Sequence, residues 1–163
     1  MAWRRRSIQR RTPGAASLRS TFIDRLFIDR LFIHRRPAMD IKRIGRNPAT
    51  DPQRARGSQI SAYNGTVYFA ATPDRPFDGG ASVTIQTQQV LARVDERLKL
   101  AGTDKSRILI AQVWISDMRH FAEMNAVWDA WVDQGSPPAR ACAACQLGSP
   151  DMKVEMIITA AVG

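Results

Sequence analysis

Two charged side chains interrupt the last two apolar segments of the chain, and both could do chemistry. Arg140 lies within the small-residue run 139–145, and Glu155 lies within the apolar run 153–159. A guanidinium in an apolar strand is costly unless an anion or an interface meets it, and its planar fork suits a carboxylate. A carboxylate at Glu155 could position or deprotonate a water molecule. The alternatives, a solvent-facing arginine on an edge strand and a structural ion pair, remain open.

Cys142 and Cys145 form a C-x-x-C pair beside Arg140. Redox motifs of this spacing use a helix N-terminus to lower the pKa of a thiol, whereas this segment is predicted to be a strand. A zinc site would need a second cysteine pair. We therefore interpret both cysteines as small buried apolar residues, with Cys142 lining a pocket beside Arg140. We predict no metal site and no organic cofactor.

The hydrophobic patterning of residues 39–163 predicts six strands and two helices in the order β-β-β-α-β-α-β-β. Asn64-Gly65 is typical of the turn in a hairpin. Apolar residues recur at helical spacing over 82–101, and Asp117 is predicted to cap a second helix, in which Trp128 packs. These elements predict an α+β fold with both helices on one face of a six-stranded mixed sheet. The other face, apolar in places, favours self-association.

The final two strands, 139–147 and 153–162, are predicted to form a hairpin around the intervening turn. A symmetric turn would pair residues whose numbers sum to an odd value. In that register Glu155 shares a sheet face with Arg140 and Cys142. The sequence therefore predicts one site that contains all three side chains.

The excess of positive charge is confined to the first 38 residues. The whole chain has a formal net charge of +9, which taken alone indicates a nucleic acid or an anionic membrane as partner. Residues 1–38 contain ten Arg and two Asp (10 − 2 = +8), and residues 39–163 contain 14 Lys and Arg against 13 Asp and Glu (14 − 13 = +1). The near-neutral second part disfavours nucleic acid as a partner. With two cysteines and no apolar run of membrane-spanning length, we expect a cytoplasmic protein that does not enter a membrane.

Residues 1–38 also contain a five-residue repeat, at 22–26, 27–31 and, with a changed ending, 32–36. A period of five matches neither a helix nor a strand. We predict a low-complexity extension that is disordered or that precedes a true start at Met39. An Arg-rich organelle transit peptide and a nucleic-acid-binding arm are the alternatives.

The motifs of residues 40–162 resemble those of the Rid/YjgF family, which includes the RidA-like deaminases of reactive intermediates. A hairpin, a helix motif, a strand signature and its partner on the last strand carry the resemblance. They are Ser58-Gln59 with Asn64-Gly65-Thr66-Val67-Tyr68, Phe121 to Asn125 with Trp128, Pro138-Ala139-Arg140-Ala141-Cys142, and Val154-Glu155.

This resemblance implies a chorismate-mutase-like (YjgF) fold and a homotrimer with pockets between its subunits. It also implies hydrolysis of 2-imino acids or their enamines, such as 2-iminobutanoate and 2-iminopropanoate, to 2-oxo acids and ammonia. Arg140 would hold the substrate carboxylate and Glu155 would position the attacking water. Cys142, Asn125 and Ala71 would line the pocket.

Two departures from the family pattern bear on the substrate. Gly57 stands where many deaminating members have tyrosine, and Ala70-Ala71-Thr72 stands where they have Ser-Gly-Gln. They indicate a subgroup that keeps the carboxylate clamp and changes its substrate. The resemblance also admits a ribonuclease or translation-inhibiting activity, which the near-neutral charge of 39–163 disfavours, and a non-catalytic trimer that binds a small carboxylate or a partner protein.

Overall fold

The computed structural model describes residues 40–46 and 56–163, and the predictions for residues 1–38 lie outside these ranges. The described residues form one sheet and two α-helices, in the predicted order. In chain order the elements are β1 (Lys42–Arg46), β2 (Ser58–Tyr63), β3 (Thr66–Ala71), α1 (Val83–Ala101), β4 (Ile108–Ile115), α2 (Phe121–Trp131), β5 (Ala139–Ala144) and β6 (Val154–Ala161). In this part of the chain, no helix is long and apolar enough to cross a membrane.

Local signals in the sequence account for the ends of these elements. Asn64 and Gly65, between β2 and β3, both have positive φ, at 50° and 68°, the conformation that favours Asn-Gly in a tight hairpin. Ser82 caps α1 by accepting a hydrogen bond from the N–H of Ile85, and Gly102 ends the helix at φ 77°. Asp117 was predicted to cap α2. It instead caps the short 3-10 turn Met118–His120 that precedes α2, by accepting a hydrogen bond from the N–H of Arg119.

The order of strands in the sheet is β1-β2-β3-β6-β4-β5. Strand β4 pairs antiparallel with β6 and parallel with β5. The predicted hairpin between the last two strands is therefore wrong, because β4 lies between them. The turn residues 148–151 permit a reversal of the chain, but they do not determine which strand lies alongside. The apolar β4 takes the inner position, where neighbouring strands cover both of its edges.

Both helices pack on the same face of the sheet, as predicted, and the core lies between them and that face. Strand residues that alternate in sequence meet the apolar stripes of the helices. The largest contributions come from Ile60, Val67, Phe69, Val113, Ile115, Met156 and Ile158 of the strands and Val90, Leu91, Val94, Leu98, Met124 and Trp128 of the helices.

One buried polar side chain, Gln86 of α1, joins that helix to two loops. Its Nε2 donates to the carbonyl oxygens of Asp78 and Asp151, at 2.9 and 2.7 Å, and its Oε1 accepts from the N–H of Lys153 at 2.7 Å. Gln86 is 1 % exposed, so water cannot readily replace these bonds. Because Lys153 directly precedes β6, Gln86 helps to position the strand that carries Glu155.

Replacing Gln86 should therefore destabilise the fold. Gln86→Met keeps the length of the side chain and removes three hydrogen bonds, so we expect the free energy of unfolding to fall by about 2–4 kcal/mol. Gln88→Met, at an exposed position on the same helix, is the matched control and should change it by less than about 0.5 kcal/mol. Urea unfolding measures both values, and equal losses in the two variants would contradict the role given to Gln86.

Candidate active site

Arg140 of β5 points to the helix-covered side of the sheet and meets α2. Its Nη2 donates a hydrogen bond to Oδ1 of Asn125 at 2.5 Å. Its Cζ lies 5.2 Å from the ring centroid of Trp128, close enough for a cation–π contact. Asn125 and Trp128 are three residues apart, so they share one face of α2 and reach the same guanidinium.

The positive charge of Arg140 has no acidic partner among residues 40–46 and 56–163. The Asn125 amide is neutral, and the buried Nη1 atom of Arg140 has no hydrogen-bond partner there. By contrast, Arg93 and Arg119 form ion pairs with Asp74 and Asp117. A half-buried guanidinium without a counter-charge is costly on its own and attracts an anion, and both carboxylates and phosphates match its fork.

Cys142 follows on the same face of β5, two residues beyond Arg140, and packs against the core. Burial raises the pKa of its thiol, and the positive charge of Arg140 opposes this effect only in part. The thiol is therefore protonated at neutral pH. In this form it is a weak nucleophile and is better suited to line a pocket. The expectation that both cysteines are buried is wrong for Cys145, which lies just beyond the end of β5 and is exposed.

Glu155 borders a cavity of about 400 Å³ on the sheet face that the helices leave open. Burial raises the pKa of its carboxyl group, and a carboxylate with a raised pKa is a stronger base. Most of the cavity wall is apolar or made of loop residues, namely Trp114, Ala143, Cys145, Gln146, Leu147 and Gly148. The sequence pattern placed Trp114 in a strand and did not assign it to the site. Because its neighbours Val113 and Ile115 are buried in the core, the alternation of side chains points Trp114 to the open face.

Arg140 and Glu155 lie on opposite faces of the sheet, so the predicted shared face is wrong. Arg140 pairs with Ala111 of β4, which is fully buried beneath the helices. Glu155 pairs with Trp114, three residues further along the same strand. Side chains alternate along a strand, so positions three apart point in opposite directions. The prediction assumed that β5 and β6 are neighbours, and the insertion of β4 changes the register.

Of the remaining predicted site residues, the structure joins some to Arg140 and leaves one apart. Asn125 contacts Arg140 directly and Cys142 is its neighbour on the strand. Ala71 is aligned with Cys142 across two intervening strands, which is a separation of about 14 Å. Its side chain is fully buried in the core, so within one chain it lies apart from the guanidinium.

No metal centre is formed by the residues that the structure describes. Three or more His, Cys, Asp and Glu side chains do not come together there in a way that could hold an ion. The chemical groups at these two faces are the guanidinium of Arg140, the carboxyl group of Glu155 with its raised pKa, and the polar and apolar side chains around them.

Comparison with known proteins identifies the family. The family profile described as Endoribonuclease L-PSP matches residues 51–162. A RutC family protein of Haemophilus ducreyi is 44% identical over 107 residues, which cover 66% of this chain and 90% of the relative. The RutC family protein YoaB of Escherichia coli is 39% identical over 108 residues, covering 66% and 92%.

A solved structure agrees with these relatives in fold. A member of the YjgF protein family from Neisseria meningitidis superposes with a TM-score of 0.68 at 38% identity, covering 77% of this chain and 97% of that protein. The profile match spans more than half of the chain, and its relatives are covered almost completely. The chain therefore belongs to the Rid/YjgF family, the one whose profile is described as Endoribonuclease L-PSP, as its motifs predicted.

Proposed function

We propose that this protein hydrolyses reactive 2-imino acids and their enamine tautomers to 2-oxo acids and ammonia. The observation that carries the proposal is the half-buried guanidinium of Arg140, which Asn125 and Trp128 hold in place and which lacks an acidic partner in the described part of the chain. A substrate carboxylate supplies the missing negative charge. Anchoring a small substrate by this group restricts its orientation, which lowers the entropic part of the barrier.

Glu155 supplies the proton transfers that hydrolysis requires. It accepts a proton from water while the water oxygen bonds to C2 of the protonated imine. It then returns the proton to the nitrogen of the resulting carbinolamine. The C–N bond breaks, the hydroxyl group loses its proton to the departing ammonia, and a 2-oxo acid and an ammonium ion result. The raised pKa of Glu155 suits both the basic and the acidic step.

Within one chain Arg140 and Glu155 project from opposite faces of the sheet. We therefore propose a pocket shared by two copies, in which Glu155 and the cavity of one copy face the Arg140 edge of the next. The open face supports this arrangement, since it carries Tyr68, 47 % exposed, beside the partly exposed Ile157 and Trp114. Contacts between unlike surfaces close into a ring when rotation brings the last copy to the first, and a trimer is the ring that the family resemblance implies.

Replacing Arg140 tests the carboxylate anchor. Arg140→Ala should lower kcat/KM at least about 100-fold, because a charge-assisted contact with the substrate is lost. Arg140→Lys should be intermediate, since it keeps the charge without the planar fork. The control is Arg119→Ala, whose side chain is 89% exposed and pairs with Asp117. The assay follows the decay of 2-iminobutanoate generated in situ, and equal rates for the parent and Arg140→Ala would refute the proposal.

The pH dependence tests Glu155. Protonated Glu155 cannot accept a proton, so kcat/KM should fall towards acid pH, with a midpoint above the ~4.3 of a free glutamate because burial raises its pKa. Glu155→Gln should lower kcat/KM about 100-fold or more and abolish this limb of the profile. An acid limb that persists in Glu155→Gln would assign the titration to another group.

The same pKa shift predicts an opposite effect on stability. Because the native state disfavours the ionised carboxyl group, Glu155→Gln should be more stable than the parent at neutral pH. The difference should shrink as the pH falls through the pKa of Glu155 in the native state. Thermal unfolding at several pH values, with Glu96→Gln as an exposed control on α1, would measure how the stability difference changes with pH.

Mixing inactive chains tests the shared pocket. Arg140→Ala and Glu155→Gln should each be inactive as single species. In assemblies formed from equal amounts of the two chains, random mixing should restore about one quarter of the parent sites, because a site that takes Arg140 from one chain and Glu155 from its neighbour is then intact. Refolding the two variants together and assaying the mixture gives the result. A mixture as inactive as its components would refute a pocket shared between two copies.

A further inference from the structure

Asn125 makes a second hydrogen bond that the proposed reaction has not used. Its Nδ2 donates to Oδ2 of Asp129 at 2.7 Å, one turn further along α2. Asn125, Trp128 and Asp129 occupy positions i, i+3 and i+4, so all three lie on one face of the helix. A hydrogen-bonded series therefore runs from the exposed carboxylate of Asp129 through the Asn125 amide to Arg140.

The Asp129 carboxylate reinforces the amide orientation that places Oδ1 of Asn125 towards Arg140. An asparagine side chain has one acceptor oxygen and one donor NH₂ group, and a guanidinium has only donors. An ionised carboxylate has only acceptors, so it binds the NH₂ end of Asn125 and leaves Oδ1 for Arg140. In the reversed orientation two donors would face each other at Arg140, and two acceptors would face each other at Asp129.

This arrangement also keeps the guanidinium charge available. Asp129 reaches Arg140 only through the neutral amide, and it forms no direct ion pair with Arg140 in the part of the chain that the structure describes. The guanidinium is thus held at Nη2 by Asn125 and on its face by Trp128. Its Nη1 keeps an unused donor.

We propose that Asp129 is a positioning residue for the binding of the substrate carboxylate, acting on Arg140 through the orientation of the Asn125 amide. This inference rests on the proposed function, because it assigns Arg140 the carboxylate as its ligand. Asp129 does not touch the substrate. Its effect is therefore on affinity, and the rate of the chemical step is set elsewhere.

The first test is the effect of Asp129 on kinetic constants. Asp129→Ala removes the acceptor and keeps a strong helix former, so the fold should be retained. KM should rise about tenfold while kcat changes less than twofold, because binding of the ground state and of the transition state weakens equally. Asp129→Glu, which restores a carboxylate, should recover most of the lost affinity. Glu96→Ala, which removes an exposed carboxylate from α1, should leave KM unchanged.

A double-mutant cycle tests whether Asp129 acts through Asn125. In the Asn125→Ala background, Asp129→Ala should raise KM no further, since the amide that it orients is absent. Additive increases in KM would overturn the proposal. A loss of kcat at constant KM would also overturn it. So would a Tm of Asp129→Ala low enough that unfolding at the assay temperature explains its change in kinetics.

Binding of a 2-oxo acid separates this inference from the proposed reaction. Calorimetry with 2-oxobutanoate should show about tenfold weaker binding to Asp129→Ala than to the parent, whether or not either protein turns over an imine. Binding that weakens as expected without turnover in the parent would refute the deaminase function and retain the role of Asp129. Equal binding by the parent and Asp129→Ala would refute that role alone, and no binding by the parent would refute both.

Discussion

The alternation of side chains along β4 constrains every account of how this protein works. Strand β4 lies between the two strands that carry the charged groups, and it pairs with Arg140 through a buried residue, Ala111, and with Glu155 through Trp114. Three residues separate these positions, so one charged group points under the helices and the other points away. In this structure the Arg140 guanidinium is held on the helix-covered side by Asn125 and Trp128, and Glu155 borders the cavity on the open side. This separation is the reason for proposing a pocket that two copies of the chain share.

The separation of Arg140 and Glu155 by the sheet also bears on the role of the face that the helices leave open. The helices cover one face and bury the apolar side chains that stabilise the chain, whereas Tyr68, Ile157 and Trp114 on the other face keep contact with solvent in a single copy. Association covers apolar surface and, in the arrangement proposed here, completes a pocket with the same contact. Within the single chain, Gln86 and the core position β6 and its Glu155.

Elements whose signals are local were predictable from the sequence. Asn64-Gly65 specifies a hairpin, and Ser82 and Gly102 bound α1. The role of Arg140 as a carboxylate anchor stays a prediction. The neighbour of the last strand was not predictable in this way, because strand adjacency depends on which apolar strand is best covered on both edges. The turn at 148–151 is compatible with a hairpin and with a crossover past β4. One wrong neighbour reversed the face of Glu155, although its identity as a candidate base did not depend on the register.

The contact between Arg140 and α2 shows why a neutral group is the better partner for a ligand-binding arginine. A carboxylate at position 125 would satisfy the guanidinium within the chain, and a substrate carboxylate would then have to displace it. The Asn125 amide accepts one hydrogen bond from Arg140 and leaves the positive charge uncompensated. Its oxygen and NH₂ group can exchange places by a rotation of the amide, so its orientation must be fixed by its partners. Asp129 reinforces that orientation from a distance of one helical turn. In the proposed function, the positive charge is thus held in one orientation without being neutralised, and a bound substrate carboxylate offsets the cost of leaving it half-buried.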